Sequence, residues 1–197
     1  RLLKLFCIKY TRMKSAFHQY HLWQFTAPML TLFLGYHPTS MQENFGIRMK
    51  IKERRKAPVF KLGSTDGTEF NLKKKNKKIV IFFYPKDDTP GCTLETRDFS
   101  KLYKKFKSKK CEIIGISKDS IESHLKFKKK NRISFELLSD DKKKVQKLYG
   151  VWGLKTFLGK KFMGTIRSTF FIKNGIVIKV WTNVRVKDHA KEVLKFV

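Results

Sequence analysis

A chain of 197 residues with 41% apolar and 14% aromatic content can build one core plus an extension, which excludes an intrinsically disordered protein. Its 45 basic and 16 acidic residues leave a net charge of +29, an excess that attracts phosphate backbones and anionic membrane surfaces without sequence specificity. The three cysteines, Cys7, Cys92 and Cys111, are odd in number and unevenly spaced, which excludes a secreted disulfide scaffold and points to an intracellular reducing compartment.

Residues 1–56 read as a basic N-terminal extension and residues 57–197 as the folded domain. Arg1 to Gln42 hold five basic residues and no acid. Leu22 to Tyr36 is largely apolar, but Gln24, Thr26, Pro28 and Thr31 interrupt it and it is too short to span a bilayer, so no stable membrane span is expected. This leader suits organelle targeting, and a disordered or artefactual tail is the competing reading. Because the chain opens with Arg1, Met41 and Met49 are candidate starts. The run KIKERRK from Lys50 to Lys56 is dense enough to act as a nuclear localisation signal.

From Ala57 the punctuation becomes regular. Val59 to Leu62 and Glu69 to Leu72 flank Ser64-Thr65-Asp66-Gly67, a hairpin signal. Lys73 to Lys78 is a charged turn into Ile79 to Tyr84, six apolar or aromatic residues that predict a strand buried on both faces. A loop rich in Pro, Asp, Thr and Gly follows and hands over at Cys92 to a helix running to about Lys107, with Leu94, Phe99, Leu102, Tyr103 and Phe106 on one face. Glu112 to Ser117 predicts a second buried strand. Ser120 to Lys130 predicts an amphipathic helix carrying Ile121, His124, Leu125 and Phe127, with His124 partly covered and no ligand. Phe135 to Leu138 gives a short strand and Asp141 to Tyr149 a helix. Arg167 to Lys173 and Ile176 to Thr182 are strands joined by the hairpin pair Asn174-Gly175, and Lys187 to Val197 closes as a helix with Ala190, Val193, Leu194 and Val197 spaced for burial. The order predicts an α/β chain with a mixed central sheet flanked by helices.

Cys92 carries the chemistry. The first turn of a helix presents unpaired N–H groups and the positive end of the macrodipole, and both favour a thiolate over a thiol. No C-x-x-C occurs, so a two-thiol exchange site is excluded, and the five histidines lie scattered, without metal-ligand spacing.

Pro85, Thr89 and Cys92 form P-x-x-x-T-x-x-C, and the longer run FFYPKDDTPGCT resembles the peroxidatic-cysteine motif of the peroxiredoxin Q / bacterioferritin comigratory protein subfamily of peroxiredoxins. Further similar stretches follow in order: Gly115-Ile116-Ser117, Leu137-Leu138-Ser139-Asp140, Tyr149 to Gly153, Lys155, Gly159-Lys160, Gly164 and Arg167 to Ile172. The resemblance implies a thioredoxin-like fold with an N-terminal β-hairpin, hydroperoxide as substrate, and no metal or organic cofactor. It implies that Cys92 is the peroxidatic nucleophile and that Thr89 and Arg167 bind peroxide. The backbone at Gly91 and Cys92 then donates N–H groups, and Pro85 shields the pocket.

Many members of the subfamily carry a resolving cysteine five residues after the peroxidatic one, where this chain has Arg97. The chain therefore resembles members that keep one catalytic thiol and take electrons from thioredoxin, glutaredoxin or glutathione, as a monomer or weak dimer. Cys111 heads a buried strand and reads as a core or edge residue, with a resolving role as the alternative, and Cys7 lies in the leader. Basic runs at Lys73 to Lys78, Lys104 to Lys110, Lys126 to Arg132 and Lys142 to Lys147 keep open a basic nucleic-acid- or chromatin-associated protein, in the nucleus or cytoplasm, as the alternative function. A redox-dependent holdase is a third.

Overall fold

The computed structural model describes residues 51–74, 78–157 and 159–197. The expectations for the leader, Cys7, Met41 and Met49 lie outside these residues.

The first hairpin pairs β1 (Lys61–Ser64) with β2 (Glu69–Asn71). Asp66 closes its turn by accepting from the N–H of Thr68 at 2.9 Å and its hydroxyl at 2.8 Å. The next strand, β3 (Lys78–Phe83), leads through a loop into helix α1 (Pro90–Ser108), then β4 (Cys111–Ser117), α2 (Ile121–Asn131), β5 (Glu136–Ser139) and the short α3 (Lys144–Leu148). A separate pair, β6 (Trp152–Phe157) and β7 (Lys160–Thr165), precedes β8 (Ser168–Lys173), β9 (Ile176–Trp181) and α4 (His189–Phe196).

Seven strands form one sheet in the order β2-β1-β5-β4-β3-β8-β9. β3, β4 and β5 run parallel, and β8 and β9 are antiparallel additions. Alternation of side chains along β3 divides its apolar run between two cores. Ile79, Ile81 and Phe83 join Ile116, Phe170 and Tyr149 on one face, while Val80, Phe82 and Tyr84 join Phe99, Phe127, Phe135 and Val193 on the other. Both faces being covered, β3 is apolar from Ile79 to its end. Gly115 on β4 passes between two such side chains: a Cβ there would come within 2.8 Å of both Leu137 Cδ2 and Phe82 Cζ.

The segment 51–57 lies along the outer edge of β9, with Arg54 N–H donating to Val177 O at 2.7 Å, Val177 N–H to Arg55 O at 2.9 Å, and Ala57 N–H to Gly175 O at 2.8 Å. It caps an edge that would otherwise present free backbone groups, and most of the KIKERRK run is thereby tied to the sheet.

Five expectations need correction. Leu94 is exposed, because the buried stripe of α1 follows Cys92, Glu95, Thr96, Phe99 and Phe106, and a residue two positions beyond Cys92 turns to solvent. Leu125 is exposed for the same reason, while His124, expected to be partly covered, is fully buried. The helix expected over Asp141 to Tyr149 starts only at Lys144, because Lys143 before it takes a left-handed conformation at φ 54°, and the Asp140 carboxylate meets the first turn by accepting from Val145 N–H at 3.2 Å and Gln146 N–H at 2.8 Å. Arg167 immediately precedes β8 and is not part of it. The pairing of β6 with β7 is an addition: these strands lack an apolar alternation that would announce them.

Candidate active site

Helix α1 begins at Pro90 with Thr89 as its extended N-cap. Proline suits the first helical position because its missing N–H has no intrahelical acceptor there. The first intrahelical bond runs from Thr93 N–H to Thr89 O at 2.9 Å, so the N–H groups of Gly91 and Cys92 precede the ladder at the positive end of the helix.

Cys92 is wholly buried at this helix start, and its Sγ accepts from Arg167 Nη2 at 3.2 Å. The same guanidinium donates through Nη1 to Glu95 Oε2. Glu95 lies three residues beyond Cys92, so the helix sets carboxylate and thiol on one face and lets one planar fork hold both. An added Cβ at Gly91 would stand 3.4 Å from Arg167 Nη2, which places the guanidinium directly beside the first turn of the helix.

The electrostatics follow from burial. Burial pushes the Glu95 carboxyl up to about 7, with Arg167 pulling the other way, and Glu95 Oε1 is buried without a hydrogen-bond partner. Burial draws Arg167 down, but Glu95 and Cys92 outweigh it and hold the guanidinium above its usual value. Lys155 on β6 donates to Thr165 O at 3.0 Å; burial and the nearby Arg167 charge lower its pKa, and Cys92 opposes them. His189, within reach of the Arg167 charge, meets Thr169 Oγ1 through Nε2 at 2.8 Å, and burial pushes the imidazole down to about 4.

A second buried network fixes the loop between β3 and α1. Asp87 accepts from Tyr84 Oη at 2.8 Å and Ser123 Oγ at 2.7 Å, and meets His124 Nδ1 at 2.8 Å. Its own N–H donates to Asp119 Oδ2 at 2.8 Å. Burial raises the Asp87 carboxyl, yet the bonds from His124, Ser123 and Tyr84 outweigh it and hold it below the usual carboxylate range. Thr89, at the end of this loop, donates its hydroxyl to Lys86 O at 3.1 Å.

The structure thus brings Cys92, Gly91 and Arg167 together. Thr89 caps the same helix, and Pro85, half-buried, opens the loop. Glu95, Lys155 and Asp87 went unassigned in the sequence; the three-residue spacing from Cys92 was the available sign for Glu95. Cys111 stands elsewhere. It pairs with Lys78 at the start of the parallel strands, while Cys92 follows their far end, and the stretch of α1 from Cys92 to Ser108 spans about 24 Å. Both thiols are free, and burial pushes Cys111 up to about 12. Among the described residues no group of His, Cys, Asp and Glu side chains could hold a metal ion, and no helix is long and apolar enough to cross a membrane.

Residues 54–180 match the AhpC/TSA family. Peroxiredoxin Bcp of Bacillus subtilis is 46% identical over 149 residues, covering 75% of this chain and 95% of that protein. The chloroplastic peroxiredoxin Q of Suaeda salsa is 40% identical over 150 residues, covering 75% of this chain and 68% of that protein. The bacterioferritin comigratory protein of Xanthomonas campestris superposes with a TM-score of 0.66 at 37% identity, over 70% of this chain and 88% of that one. The chain is therefore a member of the AhpC/TSA family, on its peroxiredoxin Q / bacterioferritin comigratory branch, with the thioredoxin-like fold of that branch.

Proposed function

We propose that the protein is a thiol peroxidase that reduces hydroperoxides through Cys92. The observation that carries this reading is the 3.2 Å contact between Arg167 Nη2 and the Cys92 sulfur at the start of α1. The thiolate attacks the terminal peroxide oxygen, an S–O bond forms as the O–O bond breaks, and two electrons pass from sulfur to the peroxide. The departing oxygen leaves as water or alcohol after gaining a proton, and Cys92 becomes a sulfenic acid. Negative charge developing on that oxygen is met by donors already in place: the Arg167 guanidinium and the N–H groups of Gly91 and Cys92. Thr89 contributes its hydroxyl by turning it from Lys86 O to the peroxide, and Pro85 walls the pocket from water.

An external thiol then returns the sulfenic acid to a thiol. Thioredoxin, glutaredoxin and glutathione are the candidate reductants, since position 97 is Arg and Cys111 lies at the other end of the sheet. Free thiols suit an intracellular reducing compartment. The relatives named above include a bacterial and a chloroplastic protein, and none of them favours a nuclear or nucleic-acid role. A monomer or weak dimer completes the reading.

The test is intact mass after one equivalent of hydrogen peroxide, with and without a sulfenic-acid trap, in wild type, Cys92→Ser and Cys111→Ser. A trapped adduct that persists in Cys111→Ser and vanishes in Cys92→Ser is expected. Wild-type peroxide consumption by Cys92→Ser would sink the assignment.

A further inference from the structure

Beside α1 lies a concave site that the peroxidase reading does not use. A cleft of about 600 Å³ opens where α1 meets the end of α2, lined by Arg97, Ser100 and Lys101 from one helix and Lys130, Arg132 and Ser134 from the other side. No carboxylate is among its lining residues. Its two lysines are already engaged, Lys101 with Asp98 at 3.1 Å and Lys130 with Asp88 at 2.8 Å. Its two arginines are not: among the described residues neither Arg97 nor Arg132 has an ion-pair partner.

The cleft is built and not merely basic. Ser134 N–H donates to Ser100 Oγ at 3.1 Å, which pins the strand-side chain to α1 and leaves the Ser100 hydroxyl hydrogen to donate. Arg132 caps α2 in the left-handed region, at φ 50°, a conformation that glycine takes freely and other side chains seldom do. Two of the last four carbonyls of α2 are taken up within the chain, by Arg132 N–H to Lys129 O at 3.3 Å and Ile133 N–H to Lys128 O at 3.0 Å, so the cationic side chains have to outweigh the negative end of the helix. Asn131 is buried and its amide donates to Phe127 O at 3.0 Å, which makes it wall and not ligand.

Two guanidinium forks arriving from separate elements match two linked anionic groups, each held bidentately. The volume is in the range of small-molecule sites and exceeds what one phosphate fills. We propose that this cleft binds a small anion carrying a pyrophosphate group, either inorganic pyrophosphate itself or the phosphate chain of a nucleoside diphosphate.

The experiment is titration calorimetry of the full chain with pyrophosphate at about 0.15 M ionic strength, beside Arg97→Gln, Arg132→Gln, both lysine replacements of these arginines, and a Lys160→Gln/Lys161→Gln control on the distant hairpin. Saturable one-to-one binding is expected, weakened at least about tenfold by each Gln variant, only partly restored by Lys, and unchanged in the control. Circular dichroism and an unchanged peroxide turnover establish that the Gln variants fold. Equal affinity for ADP and pyrophosphate assigns the site to the phosphate chain of either source, and tighter binding of ADP assigns it to the nucleotide. Binding of citrate as tight as pyrophosphate, multi-site uptake, or an equal loss in the Lys160/Lys161 control would overturn the proposal. So would length-dependent binding of a single-stranded oligonucleotide that both Gln variants retain.

Discussion

Glu95 gives one carboxylate oxygen to Arg167 and keeps the other, Oε1, buried without a partner. Half of a buried charge is thus uncompensated, and burial pushes this carboxyl up to about 7 against the pull of the guanidinium. A raised folded-state pKa means stability that is complete below about 4.5 and is lost as pH rises through about 7. Glu95→Gln, which keeps an acceptor for Arg167 and removes the charge, should therefore gain on wild type as pH rises. The expected change in their stability difference is about 1–3 kcal/mol between pH 5 and 8, read from urea denaturation. A pH-independent difference would contradict the burial argument.

Arg167 touches both thiol and carboxylate, so its replacement should act on rate more than on peroxide affinity alone. Arg167→Ala is expected to slow Cys92 oxidation by about 10²–10³, the usual cost of one preorganised donor. Arg167→Lys should recover little, because a point charge cannot hold Sγ and Oε2 together. Stopped-flow oxidation with hydrogen peroxide measures both, and full recovery with Lys would show that charge alone suffices.

His189 is buried against Thr169 and under Phe99, and burial depresses it to about 4 from 6.5. A depressed folded-state pKa contributes stability that is present above about 6.5 and disappears as pH falls towards 4. Wild type should lose on the order of 3 kcal/mol across that window through this residue. In His189→Gln the acid limb of the stability curve should flatten, and an unchanged limb would assign acid sensitivity to another group.

Gly115→Ala places a methyl group within 2.8 Å of Leu137 Cδ2 and the Phe82 ring, and Phe82 is itself stacked on Phe99 at 4.8 Å. Neither neighbour is a flexible chain end, so the core must shift. A loss of about 1–3 kcal/mol is expected by thermal denaturation, without loss of the folded sheet.

What could be seen in the sequence was what is local. The six-residue run of β3 and the Asn174-Gly175 turn, whose two residues take φ 51° and 74°, are decided by their own side chains and backbone freedom. The motif residues around Cys92 were equally plain. The contacts that complete the site are long-range: Arg167 meets Glu95 across 72 residues and His124 meets Asp87 across 37. His124 looks half-covered on its own helix because the carboxylate that buries it belongs to another element. β6 and β7 escaped because apolar side chains stay exposed on both of their faces, Leu154 and Met163 on one and Phe162 on the other, so no single apolar face marks them as strands.

The separation of Cys92 from Arg167 also sets an order of events during synthesis. The guanidinium lies 75 residues downstream of the sulfur, which at ordinary translation speeds is about 4–15 s of further elongation. The Asp87 loop likewise waits for His124. The nascent thiol thus leaves the ribosome before the guanidinium that meets it exists, and their contact forms only once β8 pairs with β3. On the function proposed above, a chain that ends before Arg167 carries the cysteine without its donor and should react slowly with peroxide, so the growing polypeptide is spared oxidation at its own sulfur.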